Sequence, residues 1–435
     1  MICRPPCSLP TDSPMIPANI SQYLIKRAIS APWKIAVPVH RTFAGAVLIP
    51  ALAESSRLFT TLRSLAENPP ERLDRFLVMV VVNHRADASR QDKTDNNVTL
   101  KRLAVTDPAL AKMHLAWVDA ASPGLEMPIK GGGVGLARKI GADLALPCLD
   151  YHAADPLLVY LDADTLVRPD YLPALVHHFE TSRAGGAVIP FRHQAGSSTE
   201  EQQAIDHYEL FLRGYVLGLE LAGSPYAFHT VGSAMACRAS AYARMGGMNS
   251  RAAGEDFYFL QQLHRTSGVA QVRGTVVYPS ARASHRVPFG TGRSISRVLA
   301  GDDDAIRFYR PECFLVLKDW LEMVMHNTGL DGVELLTGSA EISPQLAGYL
   351  ESIGFAAAWE KLRVNNKNDR ATMTAFHGWF DGLRTMKLIH HLSATDYPRC
   401  KAEETMPALL QRAGEQPAEG IKEELEILQR MQTNL

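Results

Sequence analysis

The run Phe76-Leu-Val-Met-Val-Val-Val-Asn83 constrains this chain more than any other feature. It is apolar on both alternating faces, rich in β-branched residues and stopped by a polar turn, which fits a strand covered on two sides rather than a half-exposed one. Ahead of it, Ala44-Gly-Ala-Val-Leu-Ile-Pro50 is a second short apolar run closed by Pro, as expected of a buried parallel strand. Residues 54 to 67 between them read as a helix, so the chain opens as strand, helix, strand.

The pattern continues. Residues 84 to 112 are polar with little periodicity and predict an extended surface insertion holding a short helix. Further strands are expected at His114 to Val118, Pro156 to Leu161, Ala187 to Pro190 and Thr275 to Tyr278, with helices at Val134 to Leu146 and around Ile205 to Leu219. From about residue 295 the chain reads as helical with few strands. The expected organisation is a leader and extension over 1–42, an α/β domain over 43–295, and a helical region over 296–435.

Bulk properties exclude more than they assign. A formal net charge of -1 gives no reason to expect nucleic acid or an anionic membrane as partner. The six cysteines, at 3, 7, 148, 237, 313 and 400, are too scattered for a disulfide framework and point to reduced thiols in a cytoplasmic protein. No apolar stretch is long enough to span a bilayer, which leaves only peripheral membrane contact open. The first fifteen residues, with four prolines and no continuous apolar core, read as a disordered leader rather than a secretory signal.

Chemistry is expected where Pro156-Leu-Leu-Val-Tyr-Leu161 ends, because ligands of open α/β sheets collect outside the carboxyl ends of strands. Asp162 and Asp164 stand there, two hard oxygen ligands suited to Mg2+ or Mn2+. A bare Asp-x-Asp arises by chance, as Asp302-Asp303-Asp304 illustrates, and it is the strand in front that singles out the first pair. Gly131-Gly-Gly-Val-Gly135, followed by Leu-Ala-Arg138-Lys139, sets flexible backbone and then basic side chains at a helix start, a geometry suited to phosphate but equally to a plain turn. Gly254-Glu255-Asp256 precedes an apolar helix, where its acids serve either catalysis or the helix dipole. The basic, glycine-containing segment His285-Arg286-Val-Pro-Phe-Gly-Thr-Gly-Arg293 suits a loop that closes over an anionic ligand, with His229 a competing metal ligand; a solvated loop has the same composition.

The order of these pieces resembles the family 2 glycosyltransferases with their GT-A fold, over about residues 43 to 295. The resemblance is carried by Pro50-Ala51-Leu-Ala-Glu54 after the first strand, Val82-Asn83-His84-Arg85 after the second, Gly133-Val-Gly-Leu-Ala-Arg138-Lys139, and Leu161-Asp-Ala-Asp164. Downstream it continues through Gly232-Ser-Ala-Met-Ala-Cys-Arg238, Met245-Gly-Gly-Met-Asn249 and Gly254-Glu-Asp256. It implies a mixed α/β sheet of GT-A type flanked by helices, a nucleotide-sugar donor with a UDP-sugar favoured, and Mn2+ or Mg2+ as cofactor. It also implies that Pro50, Ala51, Glu54 and Asn83 line the nucleoside, that Arg138 meets the donor, and that Asp162 and Asp164 hold ribose and metal. His285 is a further expected metal ligand, with Arg286 and Arg293 facing phosphate. Asp256, with Glu255 second, is the expected base for an inverting transfer to an acceptor hydroxyl on a glycan, lipid, protein or small molecule.

This sequence departs from that family at three places: Asn83 stands for the usual Asp, Lys139 for the Asn of Ala-Arg-Asn, and residues 84 to 112 form a longer connection. The Gln-x-x-Arg-Trp segment of processive members is absent, which favours single addition. Two other functions fit the same residues: a nucleotidyltransferase attacking at the α-phosphate, and a non-catalytic nucleotide-sugar-binding module.

Overall fold

The computed structural model of the chain describes residues 16–29, 32–105, 107–251, 253–282, 291–302 and 304–433, apart from the side chains of Thr291 and Arg293. β1 (Gly45–Ala51) and β2 (Phe76–Asn83) run parallel, with Val47 opposite Val78 and Ala51 opposite Val82. Every residue of β2 is buried, as its unbroken apolar run demands. On the outer side of β2 lies β3 (His114–Ala120), and on the other side of β1 lies β4 (Leu157–Tyr160), both parallel.

The sheet then changes direction. A short pair, β5 (Leu166–Val167) with the later β9 (Val277–Tyr278), stands apart as a two-stranded ribbon. β6 (Gly186–Val188), β7 (Met235–Arg238) and β8 (Val269–Gln271) complete seven strands in the order β3, β2, β1, β4, β7, β6, β8, with β7 antiparallel to both neighbours. The connections leave β1 toward β2 on one side while β4 arrives on the other, so a topological switch point lies between the carboxyl ends of β1 and β4. That crevice is bounded by Pro50 to Glu54 and by Leu161 to Asp164. The mixed sheet with flanking helices and the helical later region are the fold class the sequence led us to expect.

Two features have physical reasons. Residues 84 to 112 do hold a helix, but a regular one of 14 residues, Arg90–Leu103, rather than a short one within an extended insertion. Ser89 caps it by accepting from the Asp92 backbone at 3.1 Å, and its buried side is made of Asn96, Thr99 and Leu103, so no apolar period marks it. The other feature is how the described residues pack into units. Packing gives one compact unit from the described residues up to Gln194 with Thr230–Ser280 and Thr433, and another from Ala195–His229 with the described residues from Ala281 to Gln432. Helix Thr199–Leu221 joins the second unit because Gly214 and Gly218 let Met406 and Phe314 approach to distances a Cβ would forbid.

The regular elements described in the second unit are helices, around a core that includes Trp320, Phe355, Trp359 and Phe376. In it Asp302 pairs with Arg297 at 2.6 Å and Asp304 with Arg307, which gives those acids a plain structural use. Among the described residues no helix is long and apolar enough to cross a membrane, and Cys148, Cys237, Cys313 and Cys400 are free thiols.

Candidate active site

The acidic turn is held by its backbone. After β4 the chain folds back so that the Thr165 amide donates to Asp162 O at 3.1 Å. Thr61, on helix Leu58–Ala66, donates to Ala163 O at 3.0 Å, and Gln194 Nε2 donates to Asp164 O at 2.8 Å and to Tyr278 O at 2.7 Å. These anchors fix the stalk from which the two carboxylates project, the condition for precise ligand placement. The Asp162 side chain is 37% exposed and Asp164 is half-buried, so both reach the edge of the crevice.

Arg138 links this turn to the other acidic element. It lies on helix Val134–Ala145, which follows the glycine turn with Gly133 as its N-cap, and its side chain is buried. Nη2 donates to Asp162 Oδ1 at 2.6 Å, and Nη1 donates to Glu255 Oε1. Glu255 opens helix Glu255–Ser267 after Gly254, whose φ of +67° a residue with a side chain rarely adopts. Its backbone carbonyl accepts from Asn249 Nδ2 at 2.9 Å. Two glycines make the arrangement sterically feasible. A Cβ on Gly232 would lie 2.3 Å from Arg138 Nη2, and one on Gly135 would lie 2.5 Å from Arg251 O.

The electrostatics follow from this crowding. Burial works to lower the Arg138 pKa, but Asp162, Glu255 and Asp256 together hold it above the ordinary arginine value. Burial also raises the Glu255 and Asp256 carboxyls above their usual range, against the opposing pull of Arg138. Asp256 accepts from the Phe257 amide at 2.8 Å and, unlike Glu255, keeps part of its surface open. The structure thus separates the two acids: Glu255 is locked onto Arg138, and Asp256 is the more accessible.

The far side of the crevice is built on Asn96. Its Oδ1 accepts from the Ala53 amide, and its Nδ2 donates to Asn83 O and to His84 Nδ1, each at 2.9 Å. Because the Ala53 and Asn83 contacts fix the amide's orientation, His84 Nδ1 must accept, and the ring is the Nε2–H tautomer. Burial, then Lys93, lower the His84 pKa, so the ring is neutral at physiological pH. Ala53 itself has φ of +53°, a strained backbone held by this bond within the segment Pro50 to Glu54. Glu54, Ala51 and Asn83 are buried and Pro50 half-buried; Asn83 Nδ2 is used internally, on Val81 O at 2.9 Å.

The expected residues are therefore brought together in part. Asp162, Asp164, Arg138, Glu255 and Asp256 gather at one end of the sheet, with Pro50, Ala51, Glu54 and Asn83 on the ends of β1 and β2. His285 and Arg286 lie outside the described residues, as does the Arg293 side chain, although Arg293 belongs to helix Thr291–Leu299. His229 belongs to the second unit, where its Nε2 lies 3.1 Å from Gln432 Oε1; burial, then Arg213, push it down to about 3. Thr61, Asn96, Gln194 and the steric role of Gly232 went unread in the sequence, because a polar residue that anchors a loop carries no motif of its own.

Among the described residues, no three His, Cys, Asp or Glu side chains gather into a metal cage. Two carboxylates on a fixed turn still fit Mg2+ or Mn2+, which take one or two carboxylates and complete their shell with water and substrate phosphate.

Residues 157–298 match the sequence profile described as Glycosyl transferase family group 2. No curated protein matches the chain. Solved structures similar to it include residues 1–349 of S. aureus TarS in complex with UDP-GlcNAc, 13% identical over 89% of this chain and 90% of that one, TM-score 0.36. Another is the mannosyltransferase PcManGT from Pyrobaculum calidifontis in complex with GDP-Man and Mn2+, 16% identical over 87% and 93%, TM-score 0.38. A third is M. tuberculosis glucosyl-3-phosphoglycerate synthase, 17% identical over 60% and 80%, TM-score 0.32. Likenesses this shallow assign no residue a role, and the roles below rest on this chain's own geometry.

Proposed function

Residues 157–298 belong to glycosyl transferase family group 2, and from that premise we propose that the chain moves a sugar from a nucleoside diphosphate to an acceptor hydroxyl, with inversion and with help from Mn2+ or Mg2+. A UDP-sugar is the favoured donor, and the free thiols suit a cytoplasmic setting. The observation that carries this reading is the Arg138 bridge, which ties the acids of the β4 turn to the acids of the Glu255 helix across one crevice.

Each group then has a task. The nucleoside lies along Pro50, Ala51, Glu54 and Asn83, and Asp162, oriented by Arg138, meets the ribose. Asp164 and Asp162 would hold the divalent cation, which when bound would supply positive charge to stabilise the departing diphosphate. Glu255 keeps the guanidinium in place. Asp256 takes the proton of the acceptor hydroxyl; its raised pKa makes it, once ionised, a stronger base than an ordinary aspartate.

A thermal-shift screen of nucleotide sugars with and without Mn2+ tests the donor, since ligand binding raises apparent stability by mass action. Asp164→Ala should lose the Mn2+-dependent part of the shift and keep the melting temperature of the ligand-free protein. Undiminished metal-dependent binding would remove Asp164 from the site. In a transfer assay the released product should be a nucleoside diphosphate; pyrophosphate would identify a nucleotidyltransferase instead.

A further inference from the structure

The helix Ala18–Lys26 precedes the whole sheet in sequence, yet its Tyr23 is 3% exposed and touches two elements of the site. The Tyr23 hydroxyl donates to Asp143 Oδ1 at 2.7 Å and accepts from Lys139 Nζ at 2.7 Å. Asp143 is buried on helix Val134–Ala145, the helix that carries Arg138. It also accepts from the Tyr242 hydroxyl at 2.8 Å, from the Ile29 amide at 2.8 Å, and from Lys139 at 2.9 Å. A buried carboxylate is stable only when charge and hydrogen bonds compensate it. Here the N-terminal segment supplies two of the donors, Tyr23 and Ile29.

The second contact lies across from the first. Gly246 and Gly247 have φ of +92° and +82°, and a Cβ on Gly247 would lie 2.0 Å from the Tyr23 hydroxyl oxygen. A Cβ on Gly246 would lie 3.0 Å from Arg27 Nη1. These glycines lead to Asn249, which holds the Glu255 carbonyl. One tyrosine therefore meets both carriers of the Arg138–Glu255 pair: the helix behind Arg138 and the loop ahead of Glu255.

We propose that the N-terminal helix is a positioning element of the donor site, in which Tyr23 sets the spacing between helix Val134–Ala145 and the loop at Gly247 and thereby seats Arg138 against Asp162 and Glu255. The proposal rests on the reading of Arg138 and Asp162 as donor-facing. It also gives Lys139 a use: its ammonium is committed to Tyr23 and Asp143, with the Tyr23 ring centroid 5.1 Å away, rather than to a ligand.

The experiment is a calorimetric titration of the full chain with UDP, and separately GDP, in the presence of Mn2+, well below the melting temperature. Tyr23→Phe removes one hydroxyl and no charge, and should weaken nucleotide binding about five- to tenfold, the scale of one buried hydrogen bond. Tyr151→Phe is the control, because its hydroxyl donates to Leu146 O at 2.9 Å, near the other end of that helix; it should lower the melting temperature and leave affinity unchanged. Lys139→Arg, which keeps a cationic donor, should retain affinity that Lys139→Met loses. Unchanged affinity in Tyr23→Phe, with only a lower melting temperature, overturns the proposal. If the wild-type chain binds neither nucleotide, the donor reading fails instead, and hydrogen exchange judges the clasp. Faster exchange of residues 134–145 and 246–255 together in Tyr23→Phe then supports it, and faster exchange confined to residues 18–26 overturns it.

Discussion

Among the described residues two arginines are buried almost completely, one in each unit, and they keep different company. Arg213, on helix Thr199–Leu221, places Nε and Nη2 on Glu209 Oε1 at 2.9 and 2.8 Å, one turn away. Amides join this pair: Nη1 donates to Gln432 Oε1 at 3.2 Å, Gln432 Nε2 returns to Arg213 O, and Gln429 Nε2 donates to Glu209. That guanidinium is paired with Glu209 on its own helix. Arg138 instead faces Asp162, Glu255 and Asp256 together. Neutral networks of the first kind stabilise helix packing, whereas an excess of buried negative charge is unfavourable unless a cation or a proton joins it. Burial of an arginine is thus not the functional signal; the charge balance around it is.

The sharpest way to break that comparison is to remove each guanidinium in turn. Arg138→Met and Arg213→Met should both lower stability by about 3–5 kcal/mol in urea unfolding, because each strands a buried carboxylate. Their effects on chemistry should part. Per folded molecule, Arg213→Met keeps its transfer rate, while Arg138→Met loses about 10^3-fold or more, since it unseats Asp162 and leaves three acids in mutual repulsion. Equal losses in the two variants would mean that the distinction is one of packing only.

A second contrast lies inside the site, between adjacent acids. Asp256→Asn should cut turnover by about 10^2-fold or more and leave nucleotide affinity nearly unchanged, as expected for loss of a general base. Glu255→Gln should act the other way, weakening nucleotide binding because Arg138 loses its second anchor, with a smaller fall in turnover. Steady-state kinetics with donor varied separate the two. If Glu255→Gln alone abolished turnover at saturating donor, the base would be Glu255.

How much of this was legible in the sequence divides along the same line. Strands buried on both faces announce themselves, and β1, β2 and β4 fall where the runs at 44–50, 76–83 and 156–161 put them. The acids of the β4 turn were legible because a strand end gives an Asp-x-Asp its place. Helix Arg90–Leu103 was legible only as a short helix without bounds, since Asn96 and Thr99 on its buried side give no apolar period. The Arg138 bridge could not be read. It joins residues 117 positions apart, and its geometry depends on the missing side chain of Gly232, which a sequence shows only as one more glycine.

The smallest expected effect is in pH dependence, where the sign can be worked out. Burial holds Glu255 and Asp256 above the unfolded carboxyl values of 4.5 and 3.8, so the fold binds protons more tightly than the unfolded chain. Stability contributed by these groups is present below those values and is lost as pH rises through the folded pKa. Transfer needs Asp256 ionised, so activity should rise over the window in which this part of the stability falls. The acid limb of kcat/KM should lie above the ordinary aspartate range and move little with salt, because the pair is screened weakly when buried. Asp74 provides the opposite case at the surface: His114, then Arg41, lower its pKa through exposed contacts that salt weakens. Melting temperature and kcat/KM measured from pH 4 to pH 8 at low and high salt test this, with about half a pH unit as the salt shift that would matter. An acid limb at the ordinary aspartate value, or one that slides with ionic strength, would place the base in solvent rather than beside Arg138.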